Sequence, residues 1–479
     1  MYFHKDFSCF TSTSITDLIN SSGCKLQYNI NTIYNFLLLR IDNEHLTYYK
    51  NIFRVPPRHK AIVSQNEIIL KRYDKEIEPI IFKNDEEYVQ AFYEKYKCAV
   101  KKALGNDSIP AICLSSGLDS TSVAYLASKR CREIHSFTSI PAYLHKKYQN
   151  KRNYGDEQPL IEKLSKNIPN LKTNFLDSKQ TSPIEGIITF LNIFRQPVIG
   201  TVNLYWILDI YKTARECGFK TLLNGQKGNF FVSYAGIKRN RNIIDYLNYF
   251  FVNGLKFGFK EKLLRPCEKI TASIFLKNKY QFDQGLCSTY SPMNSEILKN
   301  AGLYNLSLEE VRAKFRNEEE KFGFRFLFDR SLDIYQHLDT HFDIQTKDPT
   351  DDAELKDFIL HVPENQFNRY GFSKYLFKRA FYGRLPNAIL FNTKKGRQAQ
   401  DICQRLLHEW DRVKTILCRF DKSDTIKELL DMPKLHNILE DIKIRQDNNI
   451  FFLTTSNLMR GIMVGLFLLQ FEGDDWNKY

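Results

Sequence analysis

The sequence predicts an α/β protein with a parallel β-sheet, a mostly helical C-terminal half and a small β-rich N-terminal segment. Between residues 85 and 224, short apolar strand-like segments alternate with helical segments, which indicates βαβ units with right-handed crossovers. Beyond about residue 240 the pattern is mostly helical. With 479 residues, 43% of them hydrophobic, the chain is long enough for one large or two unequal domains.

Each element follows from a local pattern. The first 75 residues carry strand-like pieces, such as AIVSQNEIILKRY, around a short helical stretch, NTIYNFLLLRI. Residues 85–104 have apolar side chains near helical spacing, which predicts an amphipathic helix. The segments of the predicted sheet and its crossovers are then, in order, IPAICL, STSVAYLASKR, EIHSFTSI, EQPLIEKLSKN, KTNFL, VNLYWILDIYKTARECG and KTLLNG.

Charge and cysteine usage restrict the partners and the compartment. The formal net charge is +14, which favours an anionic ligand such as a nucleotide. Basic residues are dispersed, and the densest cluster, IKRNRN at 237–242, is short. We therefore expect a loop or a substrate-entry rim there and no nucleic-acid interface. Ten scattered cysteines without a CxxC pair predict free thiols in a reducing cytosol, so we expect a cytoplasmic protein.

No segment is expected to cross a membrane. The opening residues lack the uninterrupted apolar core of a signal peptide. The apolar stretch GIMVGLFLLQF, at 461–471, is too short to span a bilayer, which predicts a buried helix.

The stretch AICLSSGLDSTSVAYLAS, at 111–128, places a serine-glycine turn between a strand and a helix. At the carboxyl edge of a parallel sheet, such a helix begins with unpaired amides and a positive dipole end. Hydroxyls or close backbone approach for phosphate oxygens come from Ser115, Ser116, Gly117, Ser120 and Thr121. Asp119 fits beside phosphate where a divalent cation bridges them. The alternative is a helix start with a serine as N-cap.

A family resemblance adds to this pattern. LSSGLDS, at 114–120, resembles the pyrophosphate loop of the asparagine synthetase family, usually SGGLDS, whose members are N-type ATP pyrophosphatases. Further similar segments, in the family's order, are FRVPPRHKAIV, YGDEQPLIEKLSKNI, LLNGQKGNFFVSYAG, KDPTDDAELKDFILHVPENQF and KYLFKRAFYGRLPNAILFNTKKG. The resemblance implies an adenine nucleotide α-hydrolase-like fold. It divides the chain into a truncated glutaminase-like, Ntn-type remnant at 1–75 and an ATP-dependent amide-forming domain at 76–479.

The resemblance implies a two-step reaction that uses ATP and Mg²⁺. A substrate carboxylate attacks the α-phosphorus of ATP and gives an acyl-adenylate and pyrophosphate; ammonia or an amine then displaces AMP. Glutaminase members of the family carry a cysteine directly after Met1, whereas the first cysteine here is Cys9. We therefore expect no glutamine hydrolysis. The expected carboxylate is a small molecule or a peptide, in peptide, sugar-acid or secondary-metabolite modification.

The resemblance also implies site residues. Pyrophosphate or its magnesium would contact Leu114, Ser115, Ser116, Gly117, Leu118, Asp119, Ser120 and Thr121. Adenosine would lie along Phe137, Thr138 and Ser139, with Asn224 and Gly225 closing over it. The catalytic residues would be Asp119 and Lys394, the latter on the developing negative charge, with Lys395 as second choice; alternatively Lys394 is an exposed loop cation. Weaker substrate contacts are assigned to Gln226, Asn229 and Lys374, and magnesium to Asp119 and Asn229.

The second loop departs from the family pattern. Asparagine synthetases have an acidic GEGxDE-like sequence where this chain has GQKGNF, so Gln226 replaces a glutamate and Asn229 an aspartate. An asparagine carbonyl can bind Mg²⁺ but adds no charge, which predicts weaker metal binding. Upstream, Arg195 and Gln196 stand where DEP is usual. Aspartate is therefore not the expected substrate.

Two alternatives remain open. One is a non-catalytic relative that keeps the fold as a partner or scaffold protein. The replaced acids favour it, whereas the intact Asp119 and Lys394 argue against it. The other is asparagine synthesis from aspartate and ammonia. The sequence does not choose the carboxylate or the amine.

Overall fold

The computed structural model describes residues 2–4, 7–12, 14–22, 25–40, 45–56, 59–64, 68–73, 78–143, 153–236, 285–314, 330–369, 372–445 and 447–479. The IKRNRN cluster at 237–242 lies outside these residues, so the loop expected there is not described.

The N-terminal part consists of short strands and two helices. In chain order these are β1 (Tyr2–His4), β2 (Phe7–Ser12), α1 (Ile15–Ser22), α2 (Ile30–Leu37), β3 (Ile52–Arg54), β4 (His59–Val63) and β5 (Ile68–Arg72). The first three strands form an antiparallel sheet in the order β2-β1-β3, and β4 and β5 form a hairpin. Ile15 and Ile33 lie in the same buried cluster as Ile462 and Phe467 near the C-terminus. The N-terminal part thus shares a hydrophobic core with the C-terminal helices.

The central part alternates strands and helices as predicted. Its elements are α3 (Asp85–Leu104), β6 (Ala111–Cys113), α4 (Leu118–Ser128), β7 (Ile134–Ser139), β8 (Asn153–Tyr154), α5 (Gln158–Ser165), β9 (Leu171–Leu176), α6 (Pro183–Phe194), α7 (Tyr205–Glu216) and β10 (Thr221–Leu223). The helix predicted at 85–104 is confirmed at both ends. The Asn84 side chain accepts from the amides of Glu86 and Glu87, and Gly105 ends the helix at φ 58°.

Five parallel strands form the main sheet, which confirms the predicted fold class. Their order is β11-β10-β6-β7-β9, where β11 is Gln345–Lys347. The chain proceeds from β6 through β7 to β9 on one side, and β10 and β11 lie on the other side. The order therefore reverses between β6 and β10, and a crevice is expected outside the carboxyl ends of these two strands.

The rest of the described chain is mostly helical, as predicted. Its helices are α8 (Cys287–Tyr290), α9 (Ser295–Asn300), α10 (Leu308–Lys314), α11 (Arg330–Phe342), α12 (Ala353–His361), α13 (Tyr375–Phe381), α14 (Asn387–Leu390), α15 (Ile402–His408), α16 (Trp410–Phe420), α17 (Asp424–Leu429), α18 (Met432–Ile444), α19 (Asn448–Leu453) and α20 (Met459–Leu469). Among them, β12 (Asn368–Arg369) and β13 (Phe372–Ser373) form a hairpin, and β14 (Lys395–Gly396) pairs with β8.

The apolar helix near the C-terminus is longer than predicted. Helices α19 and α20 join through a π-helical turn, and the continuous helix Asn448–Glu472 has 25 residues. By length and composition it could cross a membrane, so the prediction that this segment is too short is wrong. Its most apolar window is 83% buried inside the protein, which agrees with the predicted buried helix. A helix at the centre of a hydrophobic core has the same length and composition.

Candidate active site

A cleft of about 710 Å³ opens at the carboxyl ends of β6 and β10. The loop after β6, residues 114–120, and the loop after β10, residues 224–229, both contribute to its lining. We call them the first and the second loop. The predicted site residues that line the cleft are Leu114, Ser115, Ser116, Gly117, Leu118, Asp119, Ser120, Ser139, Asn224, Gly225, Gln226, Asn229, Lys374 and Lys394.

Three predicted nucleotide contacts lie behind the cleft wall. The Thr121 hydroxyl donates to Gly117 O (2.7 Å), and the Thr138 hydroxyl donates to Leu114 O (2.8 Å). The Phe137 ring packs edge-on against Phe219 in the core. These side chains support the first loop and the sheet and do not line the cleft. The reason is that helices cover both faces of this sheet, so even the carboxyl-terminal residues of β7 are largely buried.

The first loop is held in shape by its own serines. The Ser120 hydroxyl donates to Ser115 O (2.9 Å), and Ser115 N donates to Ser120 Oγ (3.1 Å). Gly117 N donates to Ser115 Oγ (3.2 Å). Helix α4 begins at Leu118 without a side-chain cap, so the alternative of a serine N-cap is not found. The first turn of α4 lines the cleft, where its amides and dipole end suit an anion.

The second loop packs directly on the first through glycines. A Cβ atom on Gly225 would lie 2.8 Å from the backbone of Asp119 and Ser120. A Cβ atom on Gly228 would lie 2.2 Å from Asp119 Oδ1. Both positions therefore require glycine. This close approach fixes the position of the Asp119 carboxylate between the two loops.

Asp348, which directly follows β11, anchors the second loop. Its carboxylate accepts from Lys227 N (2.8 Å), Thr350 N (2.9 Å) and the Thr350 hydroxyl (2.6 Å). Burial raises the pKa of Asp348 to about 6, and these hydrogen bonds oppose the shift. Asp348 belongs to a segment that resembles the family, KDPTDDAELKDFILHVPENQF, but had no predicted role.

Asp119, Ser233 and Lys374 form a chain of polar contacts with Asn229. Lys374 Nζ donates to Asn229 Oδ1 and to Ser233 Oγ, both at 3.0 Å. The Ser233 side chain also forms a hydrogen bond with Asp119. Burial raises the pKa of Asp119, whereas the nearby Lys374 ammonium and the Ser233 hydrogen bond lower it.

The site fits magnesium in one respect and departs from the prediction in another. Asp119 Oδ1 is buried and has no hydrogen-bond partner in the structure, so it offers a free oxygen ligand. Asn229 Oδ1, the second predicted ligand, instead accepts a hydrogen bond from an ammonium group. Within the described ranges, no group of three or more His, Cys, Asp or Glu residues could hold a metal ion. Asp119 is therefore the residue that would hold Mg²⁺.

A second carboxylate contacts the first loop. Ser116 N donates to Glu157 Oε2 (2.8 Å), and the Ser116 hydroxyl forms a hydrogen bond with the Tyr154 hydroxyl. Burial raises the pKa of Glu157, and the hydrogen bonds from Ser116 oppose this shift. Sequence reasoning missed this contact, although Tyr154 and Glu157 belong to a segment that resembles the family. Tyr154 lies 38 residues and Glu157 41 residues from Ser116, so the sequence gave no local signal.

Lys394 is one of the residues that line the cleft. Its side chain is exposed, and its amide donates to Asn392 Oδ1 (3.0 Å), which shapes the turn before β14. Lys395, the second choice, also lines the cleft and is exposed. The catalytic role of Lys394 stays a prediction. Arg195 and Gln196, by contrast, are not part of the cleft lining; the Arg195 guanidinium lies over the Trp476 ring.

Two buried residues of the cleft lining, Asp401 and Arg405, carry charges that are already paired. Asp401 accepts from Arg405 Nε (3.0 Å), the Tyr205 hydroxyl (3.0 Å) and the Ala142 amide (2.8 Å). Arg405 Nη1 in turn donates to a backbone carbonyl, that of Ser178 (2.7 Å). The charges of Asp401 and Arg405 are therefore compensated by each other and by neighbouring protein groups.

Two further residues of the cleft lining carry neutral polar groups without a hydrogen-bond partner in the structure. Gln400 is 3% exposed, and both polar atoms of its amide lack a partner in the structure. The indole nitrogen of Trp206, another lining residue, is likewise buried without an acceptor. Buried polar groups normally have hydrogen-bond partners, so unpaired ones in a cleft indicate a ligand or ordered water.

The asparagine synthase family model matches residues 91–449, which is most of the chain. The chain belongs to the asparagine synthase family. Membership implies ATP-dependent amidation by an ATP-pyrophosphatase-type domain and suggests an ATP-dependent ligase. The comparison with curated proteins gives no match. Among solved structures, the chain is similar to the NH₃-dependent NAD synthetase from Campylobacter jejuni in complex with nitrate. The identity is 13%, the TM-score is 0.23, and the match covers 51% of this chain and 96% of that one.

Proposed function

We propose that this chain activates a substrate carboxylate with ATP and joins the acyl group to ammonia or an amine. The observation that supports the proposal is the first loop, with its uncapped helix start and the free Oδ1 of Asp119 in one cleft. Amides and a dipole end stabilise the departing pyrophosphate, and bound magnesium would neutralise part of its charge. Asp119 would hold that metal ion.

The reaction proceeds in two balanced steps. A carboxylate oxygen attacks the α-phosphorus, and the bond from that phosphorus to the pyrophosphate oxygen breaks. The nitrogen nucleophile then attacks the acyl carbon, the bond to AMP breaks, and the nitrogen releases a proton to solvent. Lys394, at the rim of the cleft, stabilises the negative charge that develops during transfer.

The substrate carboxylate carries an uncharged hydrogen-bonding group beside it. Aspartate brings an ammonium and a second carboxylate, which need unpaired partners of opposite charge. Two charged residues of the cleft lining, Asp401 and Arg405, already bind each other. Gln400 and Trp206 instead offer neutral donors and an acceptor. Peptide amides and sugar hydroxyls match this chemistry, which favours a peptide or a sugar acid over aspartate.

An assay of ATP cleavage products tests the proposal. The protein is incubated with Mg-ATP, hydroxylamine as the nitrogen nucleophile, and a panel of peptides, sugar acids and aspartate. We expect AMP, pyrophosphate and hydroxamate in equal amounts. Their formation should depend on a carboxylate substrate that carries an uncharged hydrogen-bonding group. Lys394→Met should lower turnover about 100-fold. Lys427→Met, which removes an exposed lysine paired with Asp424 on α17, serves as the charge control.

The other outcomes separate the alternatives. Formation of ADP and phosphate would contradict attack at the α-phosphorus. Hydroxamate from aspartate alone would identify asparagine synthesis. Binding of Mg-ATP without carboxylate-dependent AMP across the whole panel is the result expected of a non-catalytic scaffold.

A further inference from the structure

A lysine ammonium lies against the uncharged residue of the second loop. Lys374 Nζ is 3.0 Å from Asn229 Oδ1, where the resemblance places a metal-binding aspartate. An aspartate here would form an ion pair with the ammonium, and the two charges would largely cancel. The amide accepts the hydrogen bond without adding a negative charge, so the carboxylate that acts on the lysine is that of Asp119.

The structure holds this ammonium in place from several sides. Ser233, which is fully buried, accepts its second hydrogen bond and links it to Asp119. Lys374 has a left-handed backbone (φ 59°), which costs a non-glycine residue about 1 kcal/mol. Tyr375 N donates to Phe367 O (2.8 Å) directly after this strained residue. Strain of this kind persists where the surroundings over-determine it, and it occurs often at binding sites.

The ammonium also has a donor left for a ligand. It carries three N–H bonds, and Asn229 and Ser233 accept two of them. Among the described residues, the structure shows no third acceptor for it. Both Lys374 and the first loop line the same cleft, so a phosphate on the loop amides would lie near this cation.

We propose that Lys374 provides part of the positive charge for pyrophosphate that Mg²⁺ would otherwise provide alone. The chain should then bind ATP and pyrophosphate with only a weak dependence on magnesium. The replacement of the second-loop aspartate by Asn229 is what releases the lysine for this purpose. This inference rests on the proposed function, because it assumes that the cleft binds ATP phosphates.

Calorimetric titration with pyrophosphate and with ATP tests the inference, each in EDTA and in excess Mg²⁺. We expect the metal-free dissociation constant of the wild type to lie within about tenfold of the magnesium value. Lys374→Met should weaken metal-free binding about tenfold or more and magnesium-supported binding less. Asn229→Asp should also weaken metal-free binding, because the new carboxylate pairs with the ammonium, and should increase the gain from Mg²⁺. Lys427→Met should behave as the wild type.

The outcomes separate the inference from the proposed function. If the wild type binds only with Mg²⁺, the inference is overturned and the ATP site stands. If neither ligand binds under either condition at millimolar concentration, both are overturned. Metal-free binding that survives in both Lys374→Met and Asn229→Asp would show that the charge comes from elsewhere. If a variant does not fold, the wild-type comparison still tests the weak dependence on magnesium.

Discussion

At the scale of single residues, the cleft is notable for carboxylates that are buried without a cation in direct contact. Asp119, Glu157 and Asp348 all have a raised pKa, with burial as the first cause. Hydrogen bonds from amides and hydroxyls compensate part of the cost. Burial thus disfavours the charged form of each carboxylate, and shifts of this kind are common at functional sites.

The raised pKa of Asp348 should make the stability of the protein depend on pH. Because its pKa rises from 3.8 to about 6, the folded protein binds this proton more tightly than the unfolded chain. Its contribution to the free energy of unfolding is therefore greatest below pH 4 and falls as the pH rises to about 6. The free energy of wild type minus that of Asp348→Asn should fall by about 2 kcal/mol between pH 4 and 7. Denaturant unfolding at several pH values measures it, and a constant difference would contradict this account.

The charge of Glu157 should lower the affinity of the first loop for pyrophosphate. Its carboxylate accepts the Ser116 amide at 2.8 Å, so it adds negative charge at the loop that is proposed to bind pyrophosphate. Glu157→Gln keeps an acceptor for this amide and removes the charge. Pyrophosphate should bind about fivefold more tightly to this variant at neutral pH. Asp156→Asn, one residue away and outside the cleft lining, is the matched control. Weaker binding by Glu157→Gln would mean that the charge itself organises the loop.

At the scale of elements, two short loops define the cleft. The first is fixed by hydrogen bonds among its own serines, and the second by the glycines that touch Asp119 and by Asp348. The sequence predicts the first loop well because strand, turn and helix are adjacent in the chain. It does not predict β11, because a strand of three residues is too short to show an alternation of apolar and polar side chains. It also does not predict α6, whose residues are apolar on most faces.

From the close contact between the two loops we expect one added methyl group to lower both ligand affinity and stability. In Gly228→Ala, the new Cβ would lie 2.2 Å from Asp119 Oδ1, so the second loop or the carboxylate must move. We expect the affinity for Mg-ATP to fall more than tenfold and the free energy of unfolding to fall by about 1–3 kcal/mol. Lys427→Met, at an exposed position outside the cleft lining, should change neither quantity much. Calorimetry and thermal unfolding of both variants give the answer; unchanged affinity in Gly228→Ala would show that the loops separate freely.

At the scale of the whole molecule, the cleft depends on residues from distant parts of the chain. The first loop, Lys374, Lys394 and the Asp401–Arg405 pair lie far apart in sequence but line one space. The sequence could assign the first loop, Lys374 and Lys394 to one site by motif and resemblance. It could not show that Lys374 binds Asn229, or that Asp401 and Arg405 use their charges on each other. These contacts depend on how the C-terminal helices pack against the sheet.

A structure of the protein with Mg²⁺ and an ATP analogue whose α,β-bridge is a methylene group would test the proposed ATP site most directly. We expect the β- and γ-phosphates against the amides of residues 115–120, with Asp119 on the metal and the Lys374 ammonium within reach of a phosphate oxygen. The analogue in another cavity, or an empty cleft at saturating concentration, would contradict the claim that this cleft is the ATP site.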